Sequence, residues 1–124
     1  MQLSHITPML EAKNLAETIE FYTKTLKFTC ASIWPEAGEP CWTCLKKDSI
    51  EIMFTSKNAH SKLETTVMTG SLYLYAEAID KFWEELKDKV TVEYPIENFD
   101  YGMREFAIRD CNGYLLQFGQ ELPH

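Results

Sequence analysis

The chain has 124 residues, 45% apolar and 13% aromatic, and its 12 Lys and Arg face 19 Asp and Glu for a formal charge of −7. That length suits a single domain, 1–124, with a sizeable core, and no apolar run nears the ~18 residues of a membrane span. The negative balance disfavours nucleic acid and anionic membranes, and the first residues lack a secretion signal's basic start and apolar stretch, so a cytoplasmic protein is expected.

In chain order, residues 3–12 read as a strand. Asn14-Leu15-Ala16-Glu17 then has the form of a capping box, an acceptor at the N-cap and Glu three later. Leu15, Ile19, Tyr22 and Leu26 follow at helical spacing. Strands are expected at 28–33, 42–45 and 50–55. A polar connection, 56–66, is longer than a compact domain usually needs and is expected to be mobile or close to a ligand. The pattern then restarts. Residues 71–75 read as a strand, and Ile79, Phe82, Trp83 and Leu86 line one helix face. Strands are expected at 90–94, 103–109 and 114–118, the last two joined through Asn112-Gly113, a strong hairpin-turn pair.

The second helix repeats the first at an offset of 64, Leu15 matching Ile79 and Tyr22 matching Leu86. The final strand repeats 50–54 at about 66, because its preceding loop is longer. The expected architecture is therefore α+β, two β-α-β-β-β modules at about 1–56 and 69–121 joined by a linker at about 57–68. Strand alternation assigns the faces. Ile6, Pro8, Leu10, Ala12, Ile50, Ile52, Phe54, Leu72, Leu74, Ala76, Tyr114, Leu116 and Phe118 should pack on the helices. His5, Thr7, Met9, Glu11, Glu51, Met53, Ser71, Tyr73, Tyr75, Leu115 and Gln117 are left for the other face. That face is semi-polar and rich in aromatics and Met. Tyr73 and Tyr75 either wall a pocket or cover an exposed sheet or dimer seam.

Four cysteines stand at 30, 41, 44 and 111. Cys41-x-x-Cys44 has redox or zinc spacing, but on a strand residues three apart face opposite sides, and no second zinc-type pair follows. Reduced thiols are expected. No nucleotide-binding or nucleophile-elbow motif occurs. The carboxylates Glu17/Glu20 and Glu84/Glu85 lie on helix faces and should be solvated. His60 and His124 are expected to be solvated too.

The string from Tyr101 to Phe118, together with Met9-Leu10-x-x-x-Asn14-Leu15 and Phe21-Tyr22-x-x-x-Leu26-x-Phe28, resembles the vicinal oxygen chelate superfamily. That superfamily includes glyoxalase I, fosfomycin-resistance proteins, extradiol dioxygenases and bleomycin-resistance proteins, and the C-terminal string is most similar to the last. Lys27 and Cys111 stand at turn positions where the family usually has Gly and Pro. The resemblance implies a curved mixed-sheet cup, the glyoxalase/bleomycin-resistance fold, and a homodimer. Metal-dependent members hold a divalent ion through four strand residues, which fall here on Thr7, Glu51, Ser71 and Gln117. Two hydroxyls and an amide are weak ligands, so no metal cofactor is expected. His5 is either a polar strand-end residue or a shifted ligand beside Glu51. The aromatic walls of the bleomycin-resistance branch fall on Trp42, Tyr73, Tyr75 and Tyr101, with Glu51 and Glu105 as counter-charge and Gln117 alongside. Trp34 is either a rim residue or loop packing. The expected function is non-catalytic capture of a small cationic aromatic molecule. The alternative is a metal-dependent lyase or dioxygenase using Glu51 with His5.

Overall fold

The computed structural model describes residues 1–56 and 64–123. The chain divides into two compact units, Met1–Thr66 and Val67–His124. Each runs β-α-β-β-β. The first comprises β1 (Met9–Ala12), α1 (Leu15–Glu20), β2 (Thr29–Trp34), β3 (Trp42–Lys47) and β4 (Ile50–Ser56). The second comprises β5 (Leu72–Tyr75), α2 (Ile79–Leu86), β6 (Thr91–Phe99), β7 (Met103–Arg109) and β8 (Leu115–Glu121). The sheet orders are β1-β4-β3-β2 and β5-β8-β7-β6, with the first pair of each parallel and the others antiparallel. This is an α+β chain of two four-stranded mixed sheets.

In the first unit Asn14 Oδ1 accepts from the Glu17 N–H at 3.0 Å, so the cap expected from the sequence forms. The helix is less regular than its spacing predicts. After Glu20 it widens into a π-turn, Phe21–Thr25, and ends at Lys27, which is left-handed at φ 66°. The Phe28 N–H closes the end on the Tyr22 carbonyl at 2.8 Å, one residue further back than an α-helical Schellman cap reaches, as the wider turn requires. Tyr22 is thereby swung fully into the core, 5.0 Å from the Phe54 ring and 5.5 Å from Phe28. Leu15, Thr18, Leu26, Leu45 and Ile52 complete that buried cluster.

Three expectations fail here. The first strand spans only Met9–Ala12, not 3–12, and Ile6 is 92% exposed rather than packed on a helix. Ile50 is 40% exposed rather than packed on a helix, because it stands in the last pair of the β3–β4 ladder, opposite Lys47 and beside the two-residue turn. The strand offset is also 64, not 66. Met9 pairs with Met53 and Tyr73 with Gln117, so the register makes Met53, not Glu51, the counterpart of Gln117. The longer loop between β7 and β8 is taken up where those strands begin to pair, Arg109 opposite Leu115, without sliding β8 along β5.

In the second unit Phe82, Trp83, Phe106 and Phe118 pack ring on ring at 5.0–5.9 Å, over buried Ile79, Leu86, Ile108 and Leu116. No local side chain caps α2, whose N-cap is Ala78. Instead Gln120 Oε1 of β8 accepts from the Ile79 N–H at 3.0 Å. β6 is an edge strand carrying Pro95, where the ladder shifts register between Val92 and Glu97. Asp110 shapes the β7–β8 turn. Its Oδ1 accepts from the N–H groups of Asn112 and Tyr114, and Gly113 takes φ 85°. Among the described residues, no helix is long and apolar enough to cross a membrane.

Candidate functional site

The second unit gathers its polar chemistry around one carboxylate. Glu105 on β7 is 1% exposed. Its Oε1 accepts from the Tyr73 hydroxyl at 2.6 Å and from the Tyr101 hydroxyl at 2.8 Å, and its Oε2 from the Tyr94 hydroxyl. Each phenol arrives from a different segment. Tyr73 comes from β5, Tyr94 from the bulged edge strand β6, and Tyr101 from the three-residue turn closed by left-handed Gly102. Tyr73 stands opposite Gln117 and must cross Gly119 to reach Glu105. A Cβ at residue 119 would lie 2.0 Å from the Tyr73 hydroxyl, so the ring occupies the space a side chain would need. Gln117 Nε2 donates to the Tyr94 hydroxyl at 2.9 Å, and its Oε1 accepts from the Ser71 hydroxyl.

Burial works to raise the Glu105 carboxyl, but the three phenol bonds together hold it below the usual carboxylate range. The phenols move the other way. Burial first, and then the bond to Glu105, push Tyr94 and Tyr101 up to about 12 and raise Tyr73 as well. At neutral pH the cluster is therefore one carboxylate and three intact phenols. Their rings continue outward. Tyr73 lies 5.2 Å from Tyr75, and Tyr101 is stacked on Phe99 at 5.5 Å and 14°, with Tyr94 against the same Phe99. Tyr75 is 79% and Tyr101 63% exposed, so the outer ring faces meet solvent.

In the first unit the Thr7 hydroxyl donates to Glu51 Oε1 at 2.8 Å, with Lys46 Nζ 3.5 Å and Cys44 Sγ 3.9 Å from Oε2. The Thr7 bond is the main cause holding the Glu51 carboxyl below its usual range, against partial burial and with help from Lys46. Burial, then Glu51, raises the Cys44 thiol, which stays protonated and is a poor nucleophile. Trp42 shares this sheet face, since Trp42, Cys44 and Lys46 stand opposite Thr55, Met53 and Glu51. Four residues of strand put it roughly 13 Å along from Lys46. His5 Nδ1 pairs with the adjacent Ser4 hydroxyl at 3.0 Å. Trp34 is exposed at the end of β2, opposite Trp42. Of the cysteines, only Cys44 is buried, and none of the four is in a disulfide. His60 and His124 lie outside the described residues.

The four positions of the metal-binding pattern thus make two like bonds, Thr7 to Glu51 in one unit and Ser71 to Gln117 in the other. They do not fit a divalent ion. The single carboxylate is already shared by a hydroxyl and an ammonium, and the amide oxygen is taken by Ser71. Among the described residues, no three His, Cys, Asp or Glu converge as a metal set.

Tyr94, Phe99 and Gly119 belong to this site and were not singled out from the sequence. The bulge at Pro95 breaks the alternation that would have placed Tyr94. Gly119, isolated within a strand pattern, was the one available signal of a close approach.

A sequence model of the Glyoxalase/Bleomycin resistance protein/Dioxygenase superfamily matches residues 2–118, and the chain belongs to that superfamily. No curated protein matches it in sequence. Solved structures share its fold. TioX from Micromonospora sp. ML1 superposes with a TM-score of 0.78 at 15% identity, over 96% of this chain and 99% of that one. A glyoxalase/bleomycin resistance protein/dioxygenase from Nocardioides gives 0.76 at 16%, over 98% and 86%. The bleomycin-binding protein of bleomycin-producing Streptomyces verticillus, complexed with copper(II)-bleomycin, gives 0.65 at 19%, over 100% and 99%. At these identities the likeness is one of fold.

Proposed function

We propose that the protein binds a small, planar, cationic aromatic molecule without transforming it, lowering its free concentration by stoichiometric capture. The observation that carries this reading is the tyrosine cluster on Glu105, with intact phenols inside and open ring faces at Tyr75 and Tyr101. Ring faces hold planar ligands by stacking and attract cations through the quadrupole, each contact contributing about 0.5–2 kcal/mol. Tyr73, Tyr75, Tyr101, Glu105 and Gln117 form the part of the site on the second unit. Trp42 and Glu51 are proposed as ligand-binding residues of the first unit, an aromatic face and a carboxylate on one sheet face. The bleomycin-binding neighbour supports the ligand class by analogy of fold only. The donor set described above supports a binding rather than a metal-assisted role. The proposal includes a cytoplasmic homodimer, for which the exposed Leu3, Ile6 and Met9 are a reason.

Calorimetric titration with a bleomycin-type glycopeptide and with a neutral aromatic tests the reading. Tyr73→Ala should weaken binding by about 1–3 kcal/mol. Glu51→Gln should weaken the cationic ligand and leave the neutral one nearly untouched. Absence of binding by any planar cation refutes the proposal, and sedimentation as a monomer at tens of micromolar refutes its dimer.

A further inference from the structure

We infer that the site on the second unit selects cations that carry no N–H donors, such as N-alkylated heteroaromatic or quaternary ammonium groups, because they meet tyrosine faces polarised by Glu105 and not the carboxylate itself. This inference rests on the binding reading above and names the ligand class of that site.

The carboxylate is closed to a ligand. Oε1 already accepts two phenol hydroxyls and Oε2 a third, in a residue only 1% exposed. A primary ammonium therefore has no route to a salt bridge with Glu105. The negative charge is instead passed outward. Each phenol that donates to a carboxylate is polarised along its O–H bond, leaving its ring richer in electrons. Two of these rings are continued by partners, Tyr73 by Tyr75 and Tyr101 by Phe99, so the polarised surface extends to the exposed edge.

An N–H cation stacked on such faces surrenders hydrogen bonds to water and finds ring carbon in return. A cation whose charge is delocalised, or shielded by alkyl groups, surrenders none. It gains both the ring-face attraction and the buried area. The exposed carboxylates nearby, Glu97 opposite Glu105 in the ladder and Asp100 beside Tyr101, do not reverse this order. They draw every cation alike through water and are screened by salt.

The test holds the ring system constant and varies only the charge. Wild type is titrated by calorimetry, at near-physiological salt and about pH 7.5, with 1-methylquinolinium, 6-(ammoniomethyl)quinoline and neutral quinoline. The expected result is that 1-methylquinolinium binds at least about fivefold tighter than either of the others. In Tyr73→Phe and Tyr101→Phe, which keep the rings and remove the polarising hydroxyls, its advantage over quinoline should shrink by about half or more. Both substitutions preserve side-chain shape, so the test does not depend on the fold tolerating loss of Glu105. Equal or tighter binding of the ammonium compound overturns the inference and leaves capture of a cation standing. An undiminished ratio in both Phe variants also overturns it, since Glu105 would then not act through the phenols. Equal binding of quinoline overturns it together with the charge argument beneath it. Failure of all three probes and of the glycopeptide removes the binding reading itself.

Discussion

Glu105 and its three phenols tie stability to pH from both sides. The carboxyl is held below its usual range in the folded protein, so its contribution is complete above the unfolded value of about 4.3 and is lost as pH falls through the folded value. Tyr94 and Tyr101 are raised to about 12, so theirs is complete below the ordinary value of about 10 and is lost as pH climbs towards 12. Ultraviolet titration of the six tyrosines should show a group ionising well above 10, and Glu105→Gln should return that group towards the ordinary value. A single transition near 10 in wild type contradicts the cluster. Lys27 is a second residue whose conformation has a measurable cost. Its φ of 66° suits glycine, and a β-carbon there costs about 1–2 kcal/mol. Glycine's extra freedom in the unfolded chain offsets part of the gain, so Lys27→Gly should stabilise by about 0.5–1 kcal/mol in denaturant unfolding.

At the scale of elements, the site depends on β8 lacking a side chain where β5 leans across it. Gly119→Ala places a methyl on the Tyr73 hydroxyl, and the ring, pinned between Gly119 and Glu105, has to leave the carboxylate. The cost should be about 1.5–3 kcal/mol, the range for losing a hydrogen bond to a charged group. The telling result is the combination of that loss with a fall in the tyrosine titration. Destabilisation alone would mean that the strand shifted and Tyr73 stayed. β6 shows the opposite device. Pro95 and the bulges around it turn an edge strand so that Tyr94 reaches Glu105 on the adjacent β7, and alternation read from the sequence cannot follow a strand through a bulge.

Over the whole chain, the repeat was legible because it is written in helix faces and strand alternation. Leu15 and Ile79 do begin the two helices, and the two sheets share one strand order. What escaped the sequence were effects of distant partners on local pattern. The π-turn that buries Tyr22 against Phe54 and the true counterpart of Gln117 depend on contacts with other strands, and residues 3–6 lie exposed before β1 begins. The site was half legible. The resemblance pointed to Tyr73, Tyr101 and Glu105, but only the structure shows that they bond to one another. One contrast between the units sets an order in time. α1 is capped from within its own first turn, three residues away, whereas the cap of α2 arrives from a strand 41 residues on. A local contact can form before the chain closes on itself, and a distant one has to wait for it. Asn14→Ala should therefore slow refolding, while Gln120→Ala should leave refolding nearly unchanged and accelerate unfolding, in chevron measurements on the two variants. The same mechanical task, holding the start of a helix, is thus an early event in one unit and a late one in the other.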